Sequence, residues 1–112
     1  MMDLSIEVVE NDEKNSIKLS GEIDAYTAPK LKETLLPLTK LEKVNTIEVD
    51  FTNVNYMDST GLGVFVSALK SSNEHGNEFK LVNLNDRIYR IFKITGLIDI
   101  MDIQRVTKGG EV

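Results

Sequence analysis

The run Asp58-Ser59-Thr60-Gly61-Leu62-Gly63 holds the densest set of groups that could take part in chemistry. It opens the apolar helical pattern Leu62, Val64, Phe65, Val66 and Leu69, so the Ser59 hydroxyl falls beside a helix N-terminus. Free N–H groups and the positive dipole end favour an anion at such a place. Two readings stay open. Ser59 can belong to the helix cap, or it can accept a phosphoryl group, which would set about −1.5 to −2 charges beside Asp58. Gly61 and Gly63 lower the helix propensity of that turn by roughly 1–2 kcal/mol relative to alanine. Close packing on a sheet would explain them, and so would a bare helix end that lets another protein approach Ser59.

Other chemistries lack their parts. The single histidine, His75, lies in Asn73-Glu74-His75-Gly76-Asn77, a helix end followed by a turn, where a solvated side chain is expected. Cysteine is absent, which excludes disulfides, thiolate metal sites and a cysteine nucleophile together. With one histidine and no cysteine a zinc site cannot be completed. A Ser–His–acid triad would need His75 to reach Ser59 across a whole helix. Gly61-Leu62-Gly63 lacks the third glycine of a dinucleotide loop and the lysine of a P-loop. Asp50 with Asp58, or Glu22 with Asp24, could form carboxylate pairs, but nothing in their spacing forces them together. No catalytic residue, metal or cofactor is expected, and the chain is read as a non-enzyme.

Composition narrows the partners. The 112 residues carry 18 acidic and 13 basic side chains, a net charge of −5, which disfavours nucleic acid and anionic membrane as partners. No apolar run approaches the roughly 20 residues of a membrane span. Met1-Met2-Asp3-Leu4 does not open a signal peptide, so a soluble, cytoplasmic domain is expected. A 41% hydrophobic content is ordinary for one globular domain of this length.

The elements that would position Ser59 follow from periodicity. Leu4, Ile6 and Val8 alternate as a half-buried strand, Glu10 to Asn15 is a polar turn, and Ile17 and Leu19 resume the alternation, which predicts an antiparallel hairpin. Gly21-Glu22-Ile23-Asp24 leads out of the sheet. Thr27-Ala28-Pro29 starts a helix carrying Leu31, Leu35, Leu38 and Leu41, with a kink or early end expected at Pro37. Thr46 to Phe51 is a strand, and Val54 to Met57 carries the chain onward to the Ser59 helix. Phe79 to Val82 is the next strand. Asn85-Asp86 caps a helix with Ile88, Ile91, Phe92 and Ile94, stopped at Gly96. Ile98, Ile100, Met101 and Ile103 form a short strand or a helical turn, and residues from about 106 to 112 a flexible tail. The order β-β-α-β-α-β-α implies an α/β single domain spanning residues 1–112, with a mixed four- to five-stranded sheet and helices mainly on one face.

Three stretches taken together resemble a known family. Gly21-Glu22-Ile23-Asp24-Ala25-Tyr26-Thr27-Ala28-Pro29, then Tyr56 to Val66, then Arg90-Ile91-Phe92-Lys93-Ile94-Thr95-Gly96-Leu97 are similar to the anti-anti-sigma factors of the STAS domain family, in order and over nearly the full chain. Thr60 stands where the sporulation members usually carry serine, so the general-stress branch fits better. The resemblance implies a partner switch. A dephosphorylated antagonist of this family binds an anti-sigma factor that is also a serine kinase, and so releases the sigma factor. The kinase phosphorylates the serine matching Ser59, and a PP2C-type phosphatase restores it. Asp58, Thr60, Gly61, Leu62 and Gly63 are expected to shape the partner-binding surface, with Glu22, Asp24 and Tyr26 adding its acidic and aromatic part. Three other readings remain: a STAS domain holding a nucleotide or small ligand at Gly61 to Gly63, a sporulation-type antagonist, and a scaffold subunit that is not phosphorylated.

Overall fold

Alternating side chains build the hairpin that opens the chain. A computed structural model describes residues 3–43 and 45–106. β1 (Leu4–Glu10) and β2 (Lys14–Ile23) run antiparallel, from Leu4 opposite Gly21 to Glu10 opposite Asn15. The Asn11 carboxamide closes the turn, accepting from the N–H groups of Glu13 and Lys14 at 3.2 and 2.8 Å. β1 is buried only at Leu4, while Val8 and Val9 are exposed, because it is an edge strand that the helices reach at one end only. β2 runs further than its sequence implies. Gly21 does not lead out of the sheet but kinks within it, at φ 120°, and a Cβ there would lie 2.0 Å from the Asp3 carbonyl oxygen. Only glycine lets the strand bend past the chain end and continue to Ile23.

α1 (Ala28–Thr39) carries Pro29 in its first turn and turns Leu31, Leu35 and Leu38 inward. Pro37 sits in the last turn and the helix stops two residues later, which is the early end; Leu41 lies beyond it and is exposed. β3 (Thr46–Met57) is one unbroken strand of 12 residues. It pairs with β4 (Glu78–Leu84) only as far as Asp50, but with β2 to its last residue. α2 (Ser59–Glu74) fills the crossover between them. α3 (Asp86–Ile94) follows β4, capped by the Asn85 side chain on the Ile88 N–H at 2.9 Å. The last apolar segment takes both forms offered for it: a 3-10 turn over Leu97–Asp99, then β5 (Asp102–Arg105). Val106 is still tied to the fold by a 2.9 Å bond from its N–H to the Leu84 carbonyl, and the rest of the expected tail, 107–112, lies outside the described residues.

The five strands lie in the order β1-β2-β3-β4-β5, antiparallel at the hairpin and parallel thereafter. One face carries the buried rows Asn15–Ile47–Phe79 and Ile17–Val49–Leu81. Phe51 of β3 meets Phe65 of α2 and Phe92 of α3 there, with ring centroids 5.2 and 6.5 Å away. Such aromatic pairs add about 0.5–1.5 kcal/mol each beyond the area they bury. The other face carries charge, with the Glu48 carboxylate held by Lys14 at 2.6 Å and Lys80 at 3.8 Å. Ile94 is not part of the core, being 76% exposed. Two residues past Phe92 is about 200° around a helix, on the opposite side. Each crossover moves to the adjacent strand in the same direction. The sheet therefore has no reversal of strand order, the feature that opens a nucleotide crevice in doubly wound folds.

Candidate functional site

The parallel strands β2, β3 and β4 all end on one edge of the sheet, and α2 starts there. Asp58, in extended conformation, is its cap: the carboxylate accepts from the N–H groups of Thr60 and Gly61 at 2.9 and 3.1 Å. Its own N–H donates to the Ile23 carbonyl at 3.1 Å, and its carbonyl accepts from Leu62 at 3.0 Å. So two of the first-turn N–H groups, those of Thr60 and Gly61, are occupied by a carboxylate of the chain itself. Ser59 is left exposed as the first helical residue, with Thr60 exposed beside it. A phosphoryl group added to Ser59 would place negative charge next to the residue whose carboxylate already caps this helix.

The two glycines differ. A Cβ on Gly61 would stand 2.5 Å from the Ile23 side chain and 3.0 Å from both the Ile23 carbonyl and Met57. Packing on the sheet accounts for it. At Gly63 a Cβ would meet nothing within 4 Å, so packing does not account for it. Leu62 between them is half-buried against the core.

The β2–α1 loop lies against this helix end because Ile23 pairs with Met57 and bonds to Asp58. Asp24 is fixed by its own loop: its carboxylate accepts from the N–H groups of Tyr26 and Thr27 at 2.9 and 3.0 Å. Its N–H in turn donates to the Thr27 hydroxyl at 3.0 Å, and that hydroxyl donates to the Glu22 carbonyl at 2.9 Å. Asp24 therefore shapes the loop, which leaves Tyr26 70% exposed at its tip and the Glu22 side chain half-buried beside it. Ala25, Ala28 and Pro29 face Thr60, Gly63 and Val64 across a groove of about 340 Å3. All eight residues expected around Ser59 thus share one edge of the molecule.

Tyr56 belongs with them and is missing from that set. It pairs with Glu22 across β2 and β3 and is 46% exposed. Its signal was available, since a tyrosine next to buried Met57 in a strand must point to the other side. Further along the same edge, Asn55, Asn85, Arg87 and Arg90 line a recess of about 600 Å3 at the start of α3.

The remaining chemical candidates lie apart. His75 is at the far end of α2, its ring nitrogen Nδ1 2.7 Å from the Ser71 carbonyl. Asp50 does not join Asp58 but bonds to Thr52 and to Asn83 on the open face of the sheet. Partial burial opposes its charge, yet the hydrogen bonds from Thr52 and Asn83, with Lys18 nearby, outweigh that and hold its carboxyl below the usual range. Among the described residues no group of three or more histidine and acidic side chains is placed to hold a metal ion, and no helix is long and apolar enough to cross a membrane.

Known proteins share this architecture and this sequence. The STAS domain model matches residues 5–108. The anti-sigma-B factor antagonist of Listeria monocytogenes is 49% identical over 106 residues, covering 94% of this chain and 92% of its own. That of Bacillus subtilis is 43% identical over 109 residues, covering 97% and 98%. Among solved structures, an anti-sigma factor antagonist from Mycobacterium paratuberculosis superposes with a TM-score of 0.80 at 21% identity, over 92% of this chain and 86% of that one. The Bacillus cell fate determinant SpoIIAA in its phosphorylated form does so with a TM-score of 0.71 at 21% identity, over 93% of each. These two likenesses establish the fold, and the match in sequence from the first strand to the last goes further: the chain belongs to the STAS domain family, with the anti-sigma factor antagonists.

Proposed function

We propose that the protein is the antagonist in a cytoplasmic partner switch that controls a sigma factor, on the general-stress, sigma-B branch. In the dephosphorylated state it binds an anti-sigma factor that is also a serine kinase, and the sigma factor is released. The kinase transfers the γ-phosphoryl group of its own ATP to the Ser59 oxygen; ADP leaves and the hydroxyl proton is lost. The modified antagonist dissociates, and a PP2C-type phosphatase hydrolyses the phosphoserine back to serine. In this scheme the chain is a substrate and a binding partner, and exposed Ser59 supplies the hydroxyl that the kinase modifies. The sequence likeness to named antagonists of the anti-sigma-B factor supports the branch.

One observation supports the role of Ser59: an exposed residue at the first position of a helix whose Thr60 and Gly61 N–H groups are already taken by the Asp58 carboxylate. Phosphorylation there adds a dianion next to a carboxylate that already caps the helix. In a partner interface, with no new cation to meet it, that removes roughly 3–4 kcal/mol, or about 10²–10³ in affinity.

The test is intact mass after incubation with ATP and the anti-sigma-B factor kinase, followed by peptide mapping. The expected result is one increment of about 80 Da on Ser59. No increment from a kinase that phosphorylates its proper substrate would refute the switch, and an increment mapped to Thr60 would move it.

A further inference from the structure

Gly61 and Gly63 share one helical turn but only Gly61 is required by the fold. At Gly63 the backbone is helical and nothing lies within 4 Å of where a Cβ would stand. Glycine in a helix is less favourable than alanine because it gives up more backbone freedom on folding. Alanine would therefore fold better at position 63, and no contact within this chain argues against it. The empty position lies on the groove between α1 and α2, which opens beside Thr60, one residue from Ser59. Ala25, Ala28, Pro29 and Val64 make its walls small and apolar, and Lys32 stands on it as the one cation, in no ion pair among the described residues.

We infer that this groove receives an apolar side chain of the anti-sigma factor, carried on a segment whose carboxylate meets Lys32, and that Gly63 sets which side chain fits. The groove is continuous with the Ser59 helix end, so one partner surface covers both, and phosphorylation would lift that surface from the groove as well. The unmade Cβ at position 63 is then space kept for the partner, at the expense of helix stability. The inference rests on the proposed function, because it takes the anti-sigma factor as the occupant.

The experiment measures binding of the dephosphorylated full chain to the anti-sigma-B factor by calorimetry, with thermal unfolding of each variant. Gly63→Ala should raise Tm and weaken binding about tenfold, and Gly63→Leu should weaken it at least about a hundredfold. Ser67→Leu, which fills the same groove from the next turn, should repeat the loss with the fold intact. Lys32→Glu should weaken binding and Lys32→Arg should retain it. Wild-type affinity in Gly63→Leu and Ser67→Leu would overturn the inference while leaving the proposed function standing. No binding by the wild type would overturn both.

Discussion

Ser59 and Asp58 divide between them two jobs that either residue type can do. Serine and aspartate are both good helix caps, so their order in the chain does not say which of them caps. The geometry assigns the cap to Asp58 and frees Ser59, and it separates Gly61 from Gly63 in the same way, through contacts with Ile23 and Met57 that come from other elements. Gly61→Ala should therefore destabilise the fold. The added methyl group would overlap Ile23, and moving α2 off the sheet costs about 1–3 kcal/mol, more than the propensity gained. Urea unfolding of Gly61→Ala beside Gly63→Ala reads this directly, with shifts of the midpoint concentration in opposite directions expected. A gain in both would mean that Ile23 yields easily, and that packing does not explain Gly61 after all.

At the scale of elements, periodicity made the hairpin, the helices and the parallel strands legible, because each buries one row of side chains: Ile17 and Leu19, Leu31 and Leu35, Ile47 and Val49. What it did not disclose are irregularities caused by partners distant in sequence. Gly21 reads as an exit until Asp3 is found against it, and β3 reads as ending at Phe51 because exposed Thr52 and Asn53 break the alternation while pairing with β2 continues. Asn83 is a third case. It bends β4 at φ 61° and turns its carboxamide to Asp50, which Thr52 also holds. The Asp50 carboxyl titrates below its unfolded value of about 3.9. Its contribution to stability is thus present above that value and is lost as pH falls through the folded value. Asp50→Asn should lower stability near neutral pH by under about 1 kcal/mol, given its contact with solvent. The gap from wild type should close as pH falls below the folded value. Unfolding midpoints across pH check both points; a gap that persists into acid would assign the effect to lost shape and not to charge.

Seen as a whole, the molecule is acidic, and Glu22, Asp24 and Asp58 stand with Tyr26 and Tyr56 on the edge that carries Ser59, flanked there by Lys32, Arg87 and Arg90. The net charge of −5 would steer a basic partner toward the molecule over distances that salt screens. Phosphorylation takes the net charge from −5 to about −7, which would strengthen long-range attraction to such a partner. In the proposed switch, release must therefore come from short range, where a new charge would be buried against Asp58 without a cation. The two effects separate by rate. Raising salt from about 50 to about 500 mM should slow association of the wild type, because the screening length shrinks to a few ångströms. Ser59→Asp should associate at a similar rate and dissociate about a hundredfold faster or more, and that ratio should change little with salt. Ser59→Ala should dissociate like the wild type and resist release when ATP is added. Stopped-flow association and dissociation with the anti-sigma-B factor at the two salt levels decides between mechanisms. If high salt restores Ser59→Asp to wild-type affinity, release is general repulsion across the surface, and Ser59 does not lie at the buried centre of the interface.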